Sequence, residues 1–408
     1  SLIGLKKGKI TNLIEEKNSI SLKQIEEYNQ KCNIGYINIA LRLMSSQGIL
    51  DITNYKDRDN ITYTLTNYGK IYFSHLNAIE SFTMLLPFFS NMTHYLFDDQ
   101  SSQMALKLSL LVKEYENLKL NGINQHLIRN IEGLLIGPFW VAISMAGLLN
   151  KADINKEVFS NFIGNQAVLK HYTSLLKIMG WIKKTTTFSL TGKGLFFAKR
   201  AMAYGVTVSY LHTFKEIKQL FYGNPNILWE KTVDGHEIHV DRAMNVWGSG
   251  GAHLAYFKKI DEIILNIFNG PIDKQPLGIA DMGCGDGMFI KHISKLIKDK
   301  TLRGKHLNEY PIKFIGADLN QKAITSTKRN LEEHSIDCEF VVADISNPDK
   351  YASILMEKYN IDIKDLLHIR SFLDHNRIYG NHQKKEYLSG HKSNYSFAHK
   401  GELIKSTE

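Results

Sequence analysis

The sequence contains few of the residues that cross-link a chain. It has three cysteines in 408 residues, Cys32, Cys284 and Cys338, and no C-x-x-C pair. This usage argues against a disulfide-stabilised secreted domain and against a zinc cluster, and it favours a reducing compartment, so we expect a cytoplasmic protein. The chain opens Ser1-Leu2-Ile3-Gly4, with neither an initiator methionine nor a secretory signal pattern. We therefore expect it to be a piece of a longer protein.

Long hydrophobic runs are also scarce. An uncharged and mostly apolar stretch, residues 133–149, falls just short of the roughly 18 residues that a membrane span needs, and it contains Gly137 and Pro138. It therefore predicts a buried helix, and we expect no membrane partner. The formal net charge is +9 with the basic residues dispersed, which suits an acidic partner without identifying it. Length and composition fit a globular protein of two or three domains.

The most informative stretch, residues 277–290, reads LGIADMGCGDGMFI. It predicts a buried strand, a G-x-G-x-G turn that begins with Gly283 and Gly285, and the start of a helix. Such a turn brings backbone N–H groups close to a ligand, which indicates a nucleotide site. A dinucleotide fingerprint is G-x-G-x-x-G, and Asp281 and Asp286 would repel its pyrophosphate but could accept from an ammonium group. The turn resembles the S-adenosylmethionine (SAM) turn of class I methyltransferases.

Three further strand predictions follow in order, each leading into polar residues. A strand over 312–318 ends at Asp318, whose carboxylate could accept from both ribose hydroxyls. A strand over 338–343 leads to Asp344, which could accept from the adenine amino group, with Ile345 against the ring. A fourth strand begins at Asp365. Ligands of open parallel sheets bind outside the carboxyl ends of the strands, so these residues all belong to one predicted site.

A polar, glycine-rich segment, DRAMNVWGSGGAH at residues 241–253, precedes the first of these strands. A structureless linker could have this composition, but the run of Trp247, three glycines and His253 is more specific. We predict a loop that folds over the methionine end of SAM. The predicted SAM-binding residues are Trp247, Gly248, Ser249, Gly250, Asp281, Gly283, Gly285, Asp318, Leu319, Asp344 and Ile345.

The first half of the chain contains a weak internal repeat. Residues 41–70 are echoed by residues 175–195, and each copy predicts a helix, a short hairpin and a helix capped by Thr66 or Thr191. This pattern is typical of a winged helix. The predicted organisation is a mostly helical lid domain over residues 1–230, with winged-helix-like units at about 1–80 and 122–200, followed by a SAM-binding core over residues 231–408.

Winged helices raise the alternative of nucleic-acid binding. A recognition helix presents Arg, Lys, Asn or Gln to base edges, whereas the corresponding segments 38–44 and 167–173 are mostly apolar. We therefore expect packing modules and no nucleic-acid partner. A winged-helix nucleic-acid-binding protein stays as an alternative from a different functional class.

The chemistry is expected after the fourth strand. The Asn/Asp-Pro-Pro-aromatic turn of amino-methylating nucleic-acid enzymes is absent there. With a third ligand, Asp374 and His375 could hold Fe²⁺ or Mn²⁺; the alternatives are proton transfer by this pair, or plain surface polarity. The predicted catalytic residues are His375, Asp374 and His368, which lie near Arg370 and Arg377.

Three segments together carry a more specific resemblance. Residues 241–253, 280–287 and 368–377 resemble the C-methyltransferases of bacterial polyketide synthase loading modules, the apratoxin-type, metal-dependent starter-unit enzymes. The resemblance implies an iron or manganese site beside SAM, with Asp374 and His375 as metal ligands. It implies α-carbon methylation of a malonyl-type group on an acyl carrier protein, with neighbouring polyketide synthase domains as further partners. A divalent cation would stabilise the enolate that such methylation requires.

The predicted fold is therefore α/β: a class I methyltransferase Rossmann-like sheet preceded by a mostly helical lid domain with winged-helix-like repeats. Two features depart from a compact version of that fold. Residues 299–310 are inserted before the second strand, and we predict a surface loop there. Residues 381–408 are polar and predict no strand, so we expect the core to be truncated at its C-terminus. Within enzymes, the alternative is an O-methyltransferase of a small hydroxylated metabolite, with His375 as base.

Overall fold

The structure is a computed structural model. It describes residues 1–404 except 55–60, 100, 151, 155, 185–186, 234–236 and 372–396, and it gives only the backbone of residues 184, 251–255, 322, 326 and 397. The described residues form two compact units. The first, the helical unit, contains residues 1–249 and the described residues after 384, and the second, the sheet unit, contains the described residues from 250 to 383.

Helices make up most of the helical unit, and its described residues before 250 also form two small antiparallel sheets. In chain order its elements are α1 (Leu2–Lys7), α2 (Ile10–Lys17), β1 (Ser19–Ser21), α3 (Leu22–Tyr28), α4 (Ile34–Ser46), β2 (Leu50–Thr53), β3 (Thr62–Leu65), α5 (Asn67–Ser74), α6 (Leu76–Thr83), α7 (Leu86–Phe89), α8 (Met92–Phe97), α9 (Gln103–Leu120), α10 (Gln125–Met145), α11 (Gln166–Ile178), β4 (Ile182–Lys184), β5 (Phe188–Leu190), α12 (Gly192–Ala198), α13 (Met202–Ser209), α14 (Leu211–Lys215), α15 (Ile217–Tyr222) and the start of α16 (Arg242–Phe268). The strand orders are β1-β3-β2 and β4-β5.

The predicted winged-helix repeat is present, and its two copies share one hydrogen-bond pattern. The Gly69 amide donates to Thr66 Oγ1 at 2.8 Å, and the threonine hydroxyl donates to a carbonyl of the preceding turn, Gly48 O, at 2.7 Å. The Gly194 amide donates to Thr191 Oγ1 at 3.1 Å, and that hydroxyl donates to Gly180 O at 2.7 Å. Both threonines are N-caps, as predicted, and each joins its hairpin to the following helix.

The apolar stretch near residue 140 forms the centre of the helical unit. By length and composition α10 could cross a membrane, yet 61% of its most apolar window is buried inside the unit. The side chains of Phe139 and Trp140 are fully buried, and the Phe139 ring stacks on Tyr172 with centroids 4.0 Å apart. The prediction of a buried helix is confirmed, and Pro138 is accommodated inside it.

The segment that we predicted as a loop over SAM is helical. Residues 242–268 form one continuous helix, α16, so the loop prediction for Trp247, Gly248, Ser249 and Gly250 was wrong in secondary structure. Glycine at these positions permits a close helix crossing: a Cβ on Gly248 would lie 2.6 Å from the backbone nitrogen of Val206 in α13. Tertiary packing thus overrides the poor helix propensity of glycine.

The sheet unit has one four-stranded parallel sheet, and all four predicted strands are present. Its elements after α16 are β6 (Gly278–Met282), α17 (Met288–Lys300), α18 (Leu302–Lys305), β7 (Lys313–Asp318), α19 (Gln321–Glu332), β8 (Glu339–Val342), α20 (Pro348–Tyr359) and β9 (Leu366–Arg370). The order is β8-β7-β6-β9. Strands β7 and β8 therefore lie on one side of β6, and β9 pairs with β6 on its other side. In open α/β sheets, ligands bind at the carboxyl ends of the strands where the order reverses.

The insertion before β7 is more ordered than the predicted surface loop. It contains the short helix α18, in which Arg303 is only 4% exposed. The Arg303 guanidinium donates from Nε to Tyr310 O at 2.7 Å and from Nη2 to Pro311 O at 3.0 Å. A buried charge is stable only when its donors are paired, so these bonds hold the insertion in one conformation.

The end of the chain also differs from the prediction. Residues 397–404 contain two antiparallel strands, β10 (Phe397–His399) and β11 (Glu402–Ile404), so the prediction of no strand after residue 381 was wrong for this part; residues 381–396 lie outside the described residues. The hairpin belongs to the helical unit and packs on α4, where the Gly35 amide donates to Gly401 O at 2.9 Å. A Cβ on Gly35 would lie 2.3 Å from Glu402 O, which explains the glycine.

Candidate functional site

The glycine turn between β6 and α17 has a backbone that requires glycine. Gly283, Gly285 and Gly287 have φ angles of 87°, 58° and 78°, which L side chains rarely adopt. The amides of Gly283 and Cys284 donate to Ala317 O in β7 at 2.7 and 3.0 Å. These two donors are therefore used by the fold, and they fix the turn against the neighbouring strand.

Two residues of α19 support the turn from behind, and neither was predicted from the sequence. Thr327 Oγ1 donates to Gly285 O at 2.8 Å, and Asn330 Nδ2 donates to Asp286 O at 2.8 Å. A Cβ on Gly287 would come within 2.7 Å of Thr327 Cγ2, so the helix and the turn are in direct contact. The available signal was a pair of polar residues at i, i+3 spacing on the helix after the second strand.

Asp281, at the carboxyl end of β6, is the most unusual group of the site. It is 2% exposed, and its Oδ1 atom has no hydrogen-bond partner among the described residues. Burial raises the pKa of Asp281 to about 7, and the nearby carboxylates of Asp318 and Asp286 add to the rise. A buried, unpaired carboxyl oxygen is costly. A cationic ligand group that reached it would remove that cost.

The second predicted acid, Asp318, lies at the end of β7 and is held by two backbone donors. Its Oδ2 accepts from the Gly285 amide at 3.2 Å, and its Oδ1 accepts from the Asn320 amide at 2.9 Å. The carboxylate is thereby oriented beside the glycine turn, and each oxygen keeps a lone pair for ligand hydroxyls. Leu319 follows directly and is 70% exposed.

The third predicted acid, Asp344, lies beyond β8 at the same edge of the sheet. Its Oδ1 accepts from the Ser346 amide at 2.8 Å, and this bond lowers the pKa of Asp344. The neighbouring Ile345 is 41% exposed. Exposed apolar side chains thus follow two adjacent strands, at Leu319 and Ile345, next to oriented carboxylates. This arrangement fits a flat, partly polar ring system such as adenine.

The four residues from Trp247 to Gly250 lie in two different environments. The Trp247 ring is in the helical unit, 3.0 Å from where a Cβ on Gly205 would be, and Gly248 belongs to the same helix crossing. Ser249 is half-buried. Gly250, in the sheet unit, faces the glycine turn, because a Cβ there would lie 3.8 Å from Asp286 Oδ2. The geometry therefore associates Gly250 with the predicted site.

Of the three predicted catalytic residues, His368 is the one that lies among the described residues. His368 is paired with Ala280 in the register, whereas Asp281 is paired with Ile369, so the His368 and Asp281 side chains lie on opposite faces of the sheet. The His368 Nε2 atom is 2.8 Å from Ile363 O and is thereby occupied. The geometry gives no support to a catalytic role for His368.

The predicted metal ligands Asp374 and His375, like Arg377, lie outside the described residues. Within the part of the chain that the structure describes, no group of three or more His, Cys, Asp or Glu side chains could hold a metal ion. All three cysteines are described and are free thiols. The metal site therefore stays a prediction.

Comparisons with known proteins agree with this order of elements. Residues 237–408 match a methyltransferase family described as the AprA MT2-like domain, residues 132–224 match the AprA winged helix domain, and residues 1–52 match the AprA N-terminal domain. The winged-helix match contains the second of the two copies. The three matches come from one kind of protein, stand in chain order and span most of the sequence.

Comparisons with individual proteins add little. Twenty chains of solved structures match, among them the citrinin polyketide synthase CMeT domain, which is 13% identical over 60% of this chain and 68% of that chain with a TM-score of 0.24. A TM-score this low does not establish a shared fold. No curated protein matches. The domain matches and the parallel sheet with its glycine turn show a methyltransferase domain of the AprA MT2-like kind over residues 237–408, with a winged helix domain before this core of class I methyltransferase fold.

Proposed function

We propose that the protein is a SAM-dependent methyltransferase domain of a polyketide synthase, and that it methylates the α-carbon of a malonyl-type group on an acyl carrier protein. The observation that carries the cofactor assignment is the buried Oδ1 of Asp281, which has no hydrogen-bond partner among the described residues and lies beside the glycine turn, where the strand order reverses. This is a site for a cation, and SAM carries an ammonium group and a sulfonium group.

The residues at this edge fit the parts of SAM in order. Asp281 would accept from the ammonium group, and Gly285, with no described atom within 4 Å of the place where a Cβ would lie, would let the ligand approach the backbone. Asp318 would accept from the ribose hydroxyls, while Leu319 and Ile345 would cover the adenine. SAM supplies the methyl group on a sulfur that is a good leaving group, so the protein mainly has to align the acceptor carbon with it.

The acceptor is proposed from the kind of protein that the chain matches. AprA-like domains cover most of the sequence, and residues 241–253, 280–287 and 368–377 resemble the C-methyltransferases of polyketide synthase loading modules. The net charge of +9 suits an acidic carrier protein. Asp374 and His375 would hold the Fe²⁺ or Mn²⁺ ion that stabilises the enolate as a Lewis acid. This metal assignment rests on the resemblance of residues 368–377 to the starter-unit enzymes.

Mass spectrometry of a malonyl-loaded carrier protein, after incubation with the protein and SAM, tests the reaction. One arm contains Fe²⁺ or Mn²⁺ and the other a chelator. A gain of one or more methyl groups on the acyl chain in the metal arm alone is the expected result. Methylation in both arms would contradict the role of the metal. Methylation of a hydroxylated small molecule in place of the acyl group would contradict C-methylation and favour O-methylation.

Calorimetric titration with S-adenosylhomocysteine tests the cofactor site separately. Asp281→Asn should weaken binding by about tenfold or more, because a hydrogen bond between two charged groups is lost. Asp299→Asn is the matched control, since that exposed aspartate lies near the far end of α17. Equal affinities of the two variants would contradict the assignment of Asp281 to the ligand ammonium.

A further inference from the structure

The second winged-helix copy lies in a segment that carries charge of one sign. Of the 41 acidic residues in the chain, none falls within residues 158–215. The same segment contains these lysines and arginines: Lys170, Lys177, Lys183, Lys184, Lys193, Lys199, Arg200 and Lys215. A surface with unopposed charge attracts partners of the opposite sign.

Four of its side chains form one exposed face, which we call the α12 patch: Lys193, Phe196, Lys199 and Arg200. Spacings of three and four residues bring them to the same side of the helix and its C-cap. The Arg200 guanidinium carbon lies 3.7 Å from the centroid of the Phe196 ring, and its Nη1 atom donates to Phe196 O at 3.2 Å. Phe196 remains 49% exposed. The patch therefore combines a pre-positioned arginine with an accessible aromatic ring.

The charges of the patch are not neutralised by described acidic side chains. No ion pair within the described ranges involves Lys193, Lys199 or Arg200. Lys193 Nζ donates to Met179 O at 3.0 Å at the end of α11, which keeps its charge beside the patch. Arg and aromatic residues are enriched in the energetically important centres of protein–protein interfaces.

Nucleic acid is a less suitable partner than a protein. The helices α4 and α11 stand where recognition helices would be, and the chain itself covers the N-terminal ends that would contact bases. Asn165, 3% exposed, caps α11 and donates from Nδ2 to Asp99 O and Ser101 O at 2.9 and 3.1 Å, so the chain itself surrounds that N-terminus. At α4, the amide of Gly35 is bonded to Gly401 of the C-terminal hairpin. Helix-turn-helix proteins use these N-terminal residues for base contacts.

We propose that the α12 patch docks the acidic surface of the acyl carrier protein that brings the substrate, an inference that rests on the proposed function. The lysines and Arg200 would steer the encounter and fix its orientation, and Phe196 would be buried in the complex. The acyl thioester itself would need no contact with the patch, so recognition of the carrier and chemistry on the acyl group are separable.

Steady-state kinetics with two substrates tests this separation. The double variant Lys199→Glu/Arg200→Glu should raise KM for the malonyl-loaded carrier protein about tenfold, because attraction becomes repulsion. KM for malonyl-pantetheine, which has no protein surface, should not change. The matched control is Lys298→Glu/Lys300→Glu, two exposed lysines in the last turn of α17, with the same change in net charge. Phe196→Ser should also raise KM for the carrier protein and leave KM for malonyl-pantetheine unchanged, although it changes no charge.

Direct binding of the unloaded carrier protein, followed by fluorescence anisotropy at low and moderate salt, separates this inference from the reaction. Wild-type binding that weakens with salt and is lost in the double variant supports docking, even if no substrate is methylated and the proposed function fails. Equal binding by the double variant and its control would overturn it, as would the absence of wild-type binding. Tighter, patch-dependent binding of duplex DNA would also overturn it, in favour of nucleic acid.

Discussion

Glycines serve different purposes in the winged-helix copies and in the glycine turn. In the copies, Gly69 and Gly194 are helical, but a Cβ on either would lie 2.1 Å from Ile49 O or 2.0 Å from Trp181 O. In the turn, Gly285 has a φ of 58°, and no atom of the described residues lies within 4 Å of an added Cβ. The first kind of glycine is required by a close backbone contact. The second is required by conformation and leaves space that a ligand can use.

The largest effect on stability should come from filling the closed positions. Gly194→Ala and Gly69→Ala should each lower the free energy of unfolding of the helical unit by about 3 kcal/mol, because the new methyl group collides with a carbonyl oxygen. Urea titration measures the change. Gly192 is the first residue of the same helix as Gly194, and no described atom lies within 4 Å of an added Cβ there. Gly192→Ala should therefore be neutral or stabilising by about 0.5 kcal/mol. Similar losses at Gly192 and Gly194 would refute the packing explanation.

The next effect should come from Asp281 and should depend on pH. Its pKa is about 7 in the folded protein and about 4 when unfolded, so the folded state favours the protonated form. The contribution of Asp281 protonation to the free energy of unfolding is fully present below pH 4 and is lost as pH rises to about 7. Asp281→Asn should therefore be more stable than wild type at pH 8, by about 2 kcal/mol, with a smaller difference at pH 5. Melting curves at both values test this; a pH-independent difference would contradict it.

Removal of the two caps should have smaller and matching effects. Thr191→Ala and Thr66→Ala should each cost about 1.5 kcal/mol, since each leaves a helix amide without its acceptor. Thr→Ser at the same positions keeps the oxygen and should cost less than half as much. Denaturant titration of the four variants is the measurement. If stability fell in one copy alone, the hydrogen-bond pattern would not stabilise both copies, and the prediction would be contradicted.

The smallest change in stability is expected at Gly285, the glycine of the turn that has space for a Cβ. Gly285→Ala should cost about 1 kcal/mol, because only the positive φ opposes the new side chain. Its affinity for S-adenosylhomocysteine should fall by a larger factor, since the methyl group would occupy space proposed for the ligand. Thermal melting and calorimetric titration of one preparation compare the two. Unchanged affinity would mean that the turn does not hold the ligand.

Local patterns were sufficient for much of this architecture. The four parallel strands, the buried helix around Trp140 and the two threonine caps were predicted, because each depends on neighbouring residues or on a short period. The acids Asp281, Asp318 and Asp344 were predicted at one edge, since the carboxyl ends of parallel strands coincide.

The errors have non-local causes. The helix through Gly248 depends on Gly205, which lies 43 positions earlier, and no local signal announces that crossing. The terminal hairpin has strands of three residues, too short for a period to emerge. The lack of a partner for Asp281 Oδ1 within the described part of the chain and the support of the turn by Thr327 are properties of packing alone. The metal site and the catalytic pair at 374 and 375 remain predictions.

The position of the terminal hairpin has a consequence for the order of assembly. Residues of β10 and β11 complete the surface of α4, although the whole sheet unit lies between them in the sequence. The sheet unit is built from residues that are contiguous in the sequence, whereas the surface of α4 is complete only once residues 397–404 have joined it. In refolding followed by pulsed hydrogen exchange, the Gly35 amide should therefore gain protection after the amides of β6 and β7.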